Sequence, residues 1–98
     1  MSEQHVKRDV VALSGDQVSA EIDGEVVIMN VASGRYISIG GPGVLLFEML
    51  SKGPCRFDEL CAGALQKYDV DEARCATEVR SFIQRLCDEG VAEVRAAA

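Results

Sequence analysis

From Gln17 to Ile39 apolar and polar residues alternate in steps of two, the period of a pleated strand. Two turn signals divide this run. Asp23-Gly24 sits between β-rich segments and suits a two-residue hairpin, whose central positions need positive φ. That turn sets Ile22 opposite Glu25, Ala20 opposite Val27 and Val18 opposite Met29. Ala32-Ser33-Gly34 forms a second turn, which places Arg35 near Val31, Ile37 near Met29 and Ile39 near Val27. In this register one face collects Val18, Ala20, Ile22, Val27, Met29, Val31, Ile37 and Ile39, and is the predicted core face. The other collects Gln17, Ser19, Glu21, Val26, Ile28, Asn30, Tyr36 and Ser38, and is predicted to be partly wet.

After Ile39 the period changes to that of a helix. Gly40-Gly41-Pro42 closes the strand, and proline is well placed in the first turn of a helix. A helix is predicted from about Pro42 to Ser51, stopped by Gly53-Pro54. A second carries Phe57, Leu60, Cys61, Ala64, Leu65 and Tyr68 at the three-and-four spacing of one buried stripe. Asp69 and Asp71 are both candidate N-caps for a third helix, roughly Glu72 to Glu89, ended by Gly90. Its apolar positions, Cys75, Ala76, Val79, Phe82, Ile83, Leu86 and Cys87, form a stripe wider than one contact surface requires. Upstream, Val10, Val11 and Leu13 can add a short extended piece. The pattern predicts an α+β domain: a three-stranded antiparallel β-meander followed by a three-helix winged helix-turn-helix-like unit. Residues 1–8 are polar without a period and are expected to form a disordered tail, leaving 9–95 as a single domain.

Composition narrows the function. The chain has 98 residues and a net charge of −6, which repels phosphate backbones and anionic membranes. From Asp71 to Glu89 five acids face three arginines, whereas a helix that reads a DNA groove should be basic. No apolar run approaches the ~20 residues of a membrane span, and the start lacks the basic-then-apolar pattern of a signal peptide. The expected compartment is the cytoplasm. The four cysteines, Cys55, Cys61, Cys75 and Cys87, include no C-x-x-C pair, and His5 is the only histidine. Free, packed thiols are therefore expected, without metal or other cofactor. No phosphate loop, H-E-x-x-H or G-x-S-x-G motif appears, so the chain is read as a non-enzyme.

From Asp23 to Val91 the sequence resembles the pyrroloquinoline-quinone synthesis protein D (PqqD-like) family, which includes leader-peptide recognition elements of ribosomal peptide pathways such as lasso-peptide systems. The resemblance rests on the order of the D-G hairpin, the G-R-Y strand, a glycine turn into the first helix, and D-E-L in the second. It ends in D-V-D followed by V-x-x-F-I-x-x-L and G-V across the third helix. It implies a non-catalytic peptide chaperone. Such a protein captures a precursor's leader as an added strand and presents it to a maturation enzyme, either a radical enzyme or a leader protease. The implied groove comprises Tyr36, Ile37, Ser38 and Ile39 on the strand, with Cys75, Glu78, Val79 and Phe82 on the third helix. The residues permit this independently, since a short edge exposes backbone groups that another strand can pair with. An open edge can also pair with a second copy, giving a homodimer. The competing reading is an acidic winged-helix module serving regulation or protein interaction.

Overall fold

The computed structural model describes residues 9–67 and 71–95. In chain order they form β1 (Val10–Leu13), β2 (Gln17–Ile22), β3 (Glu25–Asn30), β4 (Tyr36–Ile39), α1 (Pro42–Ser51), β5 (Cys55–Arg56), α2 (Phe57–Lys67), α3 (Glu72–Asp88) and β6 (Ala92–Arg95). The tail 1–8 with His5, Tyr68, Asp69 and the last three alanines lie outside the described residues. The fold is α+β. The β2-β3-β4 meander precedes three helices, and a second antiparallel sheet of order β5-β1-β6 joins the two ends of the domain. Among the described residues no helix is long and apolar enough to cross a membrane.

Local chemistry accounts for most element ends. Asp23 and Gly24 both adopt positive φ, as a tight hairpin turn demands, and the β2–β3 register is the one that turn dictates, with Val18 opposite Met29. Pro42 occupies the first turn of α1. Asp71 caps α3 by accepting the Arg74 N–H at 2.8 Å. At the other end, Gly90 donates to the Cys87 carbonyl and Val91 to that of Leu86, both at 3.0 Å. These two bonds satisfy the final carbonyls, with Gly90 in the left-handed region. The exposed Asp71→Ala variant should lose about 1 kcal/mol. In a domain of this size that lowers Tm by roughly 4–8 °C, and thermal melts of the two proteins check it.

The β3–β4 register and the core face differ from the sequence expectation. Val26 pairs with Ile39, Ile28 with Ile37 and Met29 with Tyr36, one residue away from the predicted alignment. Val31 belongs to the turn, not the strand: the Asn30 N–H donates to the Arg35 carbonyl at 2.8 Å, and Gly34 donates back to the Asn30 carbonyl. The Asn30 side chain organises this longer turn, its Oδ1 accepting from the Ala32 and Ser33 amides. Its Nδ2 donates to the carbonyl of Glu89 beyond α3. A slip of one residue exchanges the faces. The buried face therefore carries Val26, Ile28, Ile37 and Ile39, packed with Leu46, Leu60, Val79, Ile83 and Leu86. The predicted core residues Val18, Ile22, Met29 and Val31 are exposed instead.

Strands β5 and β6 are the other departure from expectation. Each is too short to announce itself by alternation, and each is drawn into strand geometry by β1, which pairs Val11 with Cys55 on one side and with Val94 on the other.

Candidate functional site

Strand β4 pairs with β3 on one side only. Hydrogen-bonded and non-bonded pairs alternate along an antiparallel ladder. Since Asn30 donates to the Arg35 carbonyl, Ile28–Ile37 and Val26–Ile39 are the bonded pairs that follow. The backbone groups of Tyr36 and Ser38 therefore point away from the sheet. No N–H among the described residues meets the outward carbonyl of Tyr36, and no acceptor meets the Ser38 amide. The edge is open for a further strand.

Beside this edge runs a groove of about 330 Å³, walled by Ile39 and the turn into α1 on one side and by α3 on the other. Its floor is apolar, with Leu46 from α1 and Ala64 from α2. Gly43 lets α1 approach this closely: a Cβ there would lie 2.5 Å from Ile39 Cγ2 and 3.0 Å from Phe82 Cε1. Phe82 itself is half-buried, packed against the core and lining the groove.

Of the eight candidate residues, Ile39, Cys75, Glu78, Val79 and Phe82 line this groove. Ile39, Cys75 and Val79 do so as buried residues. Ile37 is core, opposite Ile28. Tyr36, 71 % exposed, lies in a row with Met29 and Val18 across the outer face of the meander. The Ser38 hydroxyl donates to Glu25 on that same face, so Tyr36 and Ser38 face the groove's open side through their backbones only.

Arg74, Ser81 and Arg85 also line the groove and were not among the candidates. Together with Glu78 they continue the four-three-four spacing of one helix stripe, so the signal was present in the sequence. Arg74 pairs with Glu78 at 3.3 Å, an exposed contact of small energetic value. Arg85 Nη2 donates to the Ser38 carbonyl at 3.1 Å.

Cys75 donates weakly to the Cys61 carbonyl at 3.7 Å. Burial, with Cys75 alongside, pushes the Cys61 thiol up to about 11, and burial raises Cys75 as well. Thiols held in their protonated form are poor nucleophiles and poor metal ligands. Cys75 lies in the core and Cys61 packs against it, and among the described residues no His, Cys, Asp and Glu side chains gather as a metal site would require.

Three comparisons bear on this arrangement. The family described as coenzyme PQQ synthesis protein D matches residues 25–92, from the start of β3 into β6. No curated protein matches the sequence. Among solved structures, TbiB1 in complex with the TbiA(beta) leader peptide is 28% identical, with a TM-score of 0.78, covering 84% of this chain and 94% of that one. A lasso peptide synthetase B1 complexed with the leader peptide has a TM-score of 0.74 at 18% identity, covering 85% and 96%. At that identity the second likeness concerns the fold alone.

Proposed function

Because the chain belongs to the coenzyme PQQ synthesis protein D family, we propose that it is a non-catalytic leader-peptide-binding protein. Residues 9–95 act as one domain that captures the leader of a ribosomally made precursor and presents it to a maturation enzyme, a radical enzyme or a leader protease. The observation that carries this reading is the open edge of β4 beside an apolar groove. The leader adds to β4 as a fourth strand of the meander. Main-chain hydrogen bonds to Tyr36 and Ser38 supply sequence-independent affinity, and alternate leader side chains enter the groove over Val79 and Phe82, where shape gives preference. The likeness to TbiB1 in complex with the TbiA(beta) leader peptide supports this reading. No step of it requires a catalytic group, metal or cofactor.

The experiment locates a short precursor reading frame beside the gene and titrates its fluorescein-labelled leader into the protein. Saturable binding with Kd of ~1 μM or tighter is expected. A labelled DNA duplex at 150 mM salt, ~8 Å Debye length, should show no binding, since the protein is acidic overall. Tight DNA binding with no leader binding would replace this reading with that of a winged-helix regulator.

A further inference from the structure

The acceptor at the middle of the open edge is already taken. Arg85, exposed on α3, reaches across the groove to the Ser38 carbonyl at 3.1 Å, the group with which an added strand must pair. None of the acids nearest Arg85 in the chain pairs with it. Glu89, four residues on, holds Arg35 through Oε2 at 3.1 Å and keeps its buried Oε1 without a partner among the described residues. Glu78, seven residues back, holds Arg74, and Asp88 accepts from Gln84 at 2.9 Å. Arg85 is thus a cation at the mouth of a groove, held by a neutral carbonyl, in a chain whose net charge is −6.

We propose that Arg85 is a charge-selective latch on the docking edge, opened by a leader that carries Asp or Glu toward α3. The inference rests on the reading of β4 as the edge that receives the leader. An incoming strand claims the Ser38 carbonyl for its own N–H and turns the guanidinium loose. A carboxylate on that strand takes the guanidinium over in a charge-assisted, often two-pronged bond, stronger than the one given up. Residues directly opposite one another share a face, and the Ser38 side chain lies on the outer face with Glu25. The selected carboxylate therefore belongs to a leader residue opposite Ile37 or Ile39, whose own side chains point inward. A neutral residue there leaves the guanidinium to water, or leaves the latch shut and one ladder bond unmade.

The test compares the labelled leader of the neighbouring precursor with the same peptide after every Asp and Glu is changed to Asn and Gln. Both are titrated by anisotropy into the parent protein, Arg85→Ala and Arg85→Lys. The parent should prefer the acidic leader by about tenfold, the scale of a hydrogen bond between charged groups. Arg85→Ala should erase that preference and bind the neutral leader at least as tightly as the parent does, because the latch is gone. Arg85→Lys, which keeps the charge, should restore part of the preference. Equal binding of both leaders by the parent, or a preference that survives Arg85→Ala, overturns the latch and leaves the docking edge standing. Failure of both leaders to bind the parent overturns the docking edge, and the latch with it.

Discussion

Ser38→Pro is expected to leave the fold standing while weakening leader capture about tenfold or more, whereas its neighbour Ile37→Pro is expected to unfold the domain. The difference comes from ladder parity. The Ile37 amide bonds to Ile28 inside the meander, and its side chain is only 7 % exposed. Proline there removes a ladder bond and a buried isoleucine together. The ladder groups left unpaired cost about 1–3 kcal/mol, proline's ring disturbs a paired strand further, and the lost isoleucine adds about 2 kcal/mol, against a total stability of roughly 5–15 kcal/mol typical of such domains. Ser38 has its amide on the open edge, where proline is tolerated. The restriction proline puts on the residue before it favours extended backbone, which Ile37 already has. At the interface the Ser38 N–H is one of the bonds offered to the leader. Its loss costs about 1 kcal/mol, and a ring projecting from the edge obstructs the approaching strand. Thermal melts and leader titrations of the two variants decide the matter. A stable Ser38→Pro protein that binds leader as tightly as the parent would show that the peptide docks elsewhere.

The second large effect separates two adjacent residues of β3. Ile28 is 0 % exposed and Met29 is 38 % exposed. Ile28→Ala should cost 2–5 kcal/mol, because the methyl groups leave a cavity that α3 cannot fill. A loss of that size lowers Tm by about 8 °C or more in a domain this small, at ~4–8 °C per kcal/mol. Met29→Ala should cost less than about 1 kcal/mol, since its side chain is partly wet before the change. Denaturant unfolding of both variants measures the difference. The reverse order of losses would restore the face assignment read from the strand pattern.

That face assignment shows where sequence reasoning stopped. Elements fixed by neighbours in the chain were legible: the Asp23-Gly24 hairpin, α1 starting at Pro42, and α3 between the Asp71 cap and Gly90. The β3–β4 register was not, because β3 is apolar on both sides and either alignment buries hydrophobic residues. The choice falls to Asn30, whose side chain ties the turn to the end of α3, 59 residues away. No local pattern encodes such a contact. β5 and β6 were hidden for the same reason, their strand character being supplied by β1. The groove was legible in part. Cys75, Glu78, Val79 and Phe82 follow from helix periodicity, and carrying that stripe outward by one position would have reached Arg74, Ser81 and Arg85. From β4 the groove is lined by Ile39, while Ile37 lies in the core and Tyr36 on the outer face, as strand alternation already placed them.

The pairing of β1 with β6 reaches beyond stability. Val10 lies directly opposite Arg95, so the two ends of the described domain stand about 5 Å apart, the span of one antiparallel rung. A polypeptide that enters and leaves through neighbouring points can be spliced into a surface loop of another protein, or closed into a ring and reopened elsewhere, without stretching the host. Both junctions lie in the β5-β1-β6 sheet, and the open edge of β4 belongs to the other. Insertion or permutation at these points would therefore draw no hydrogen bonds from the edge proposed to take up the peptide.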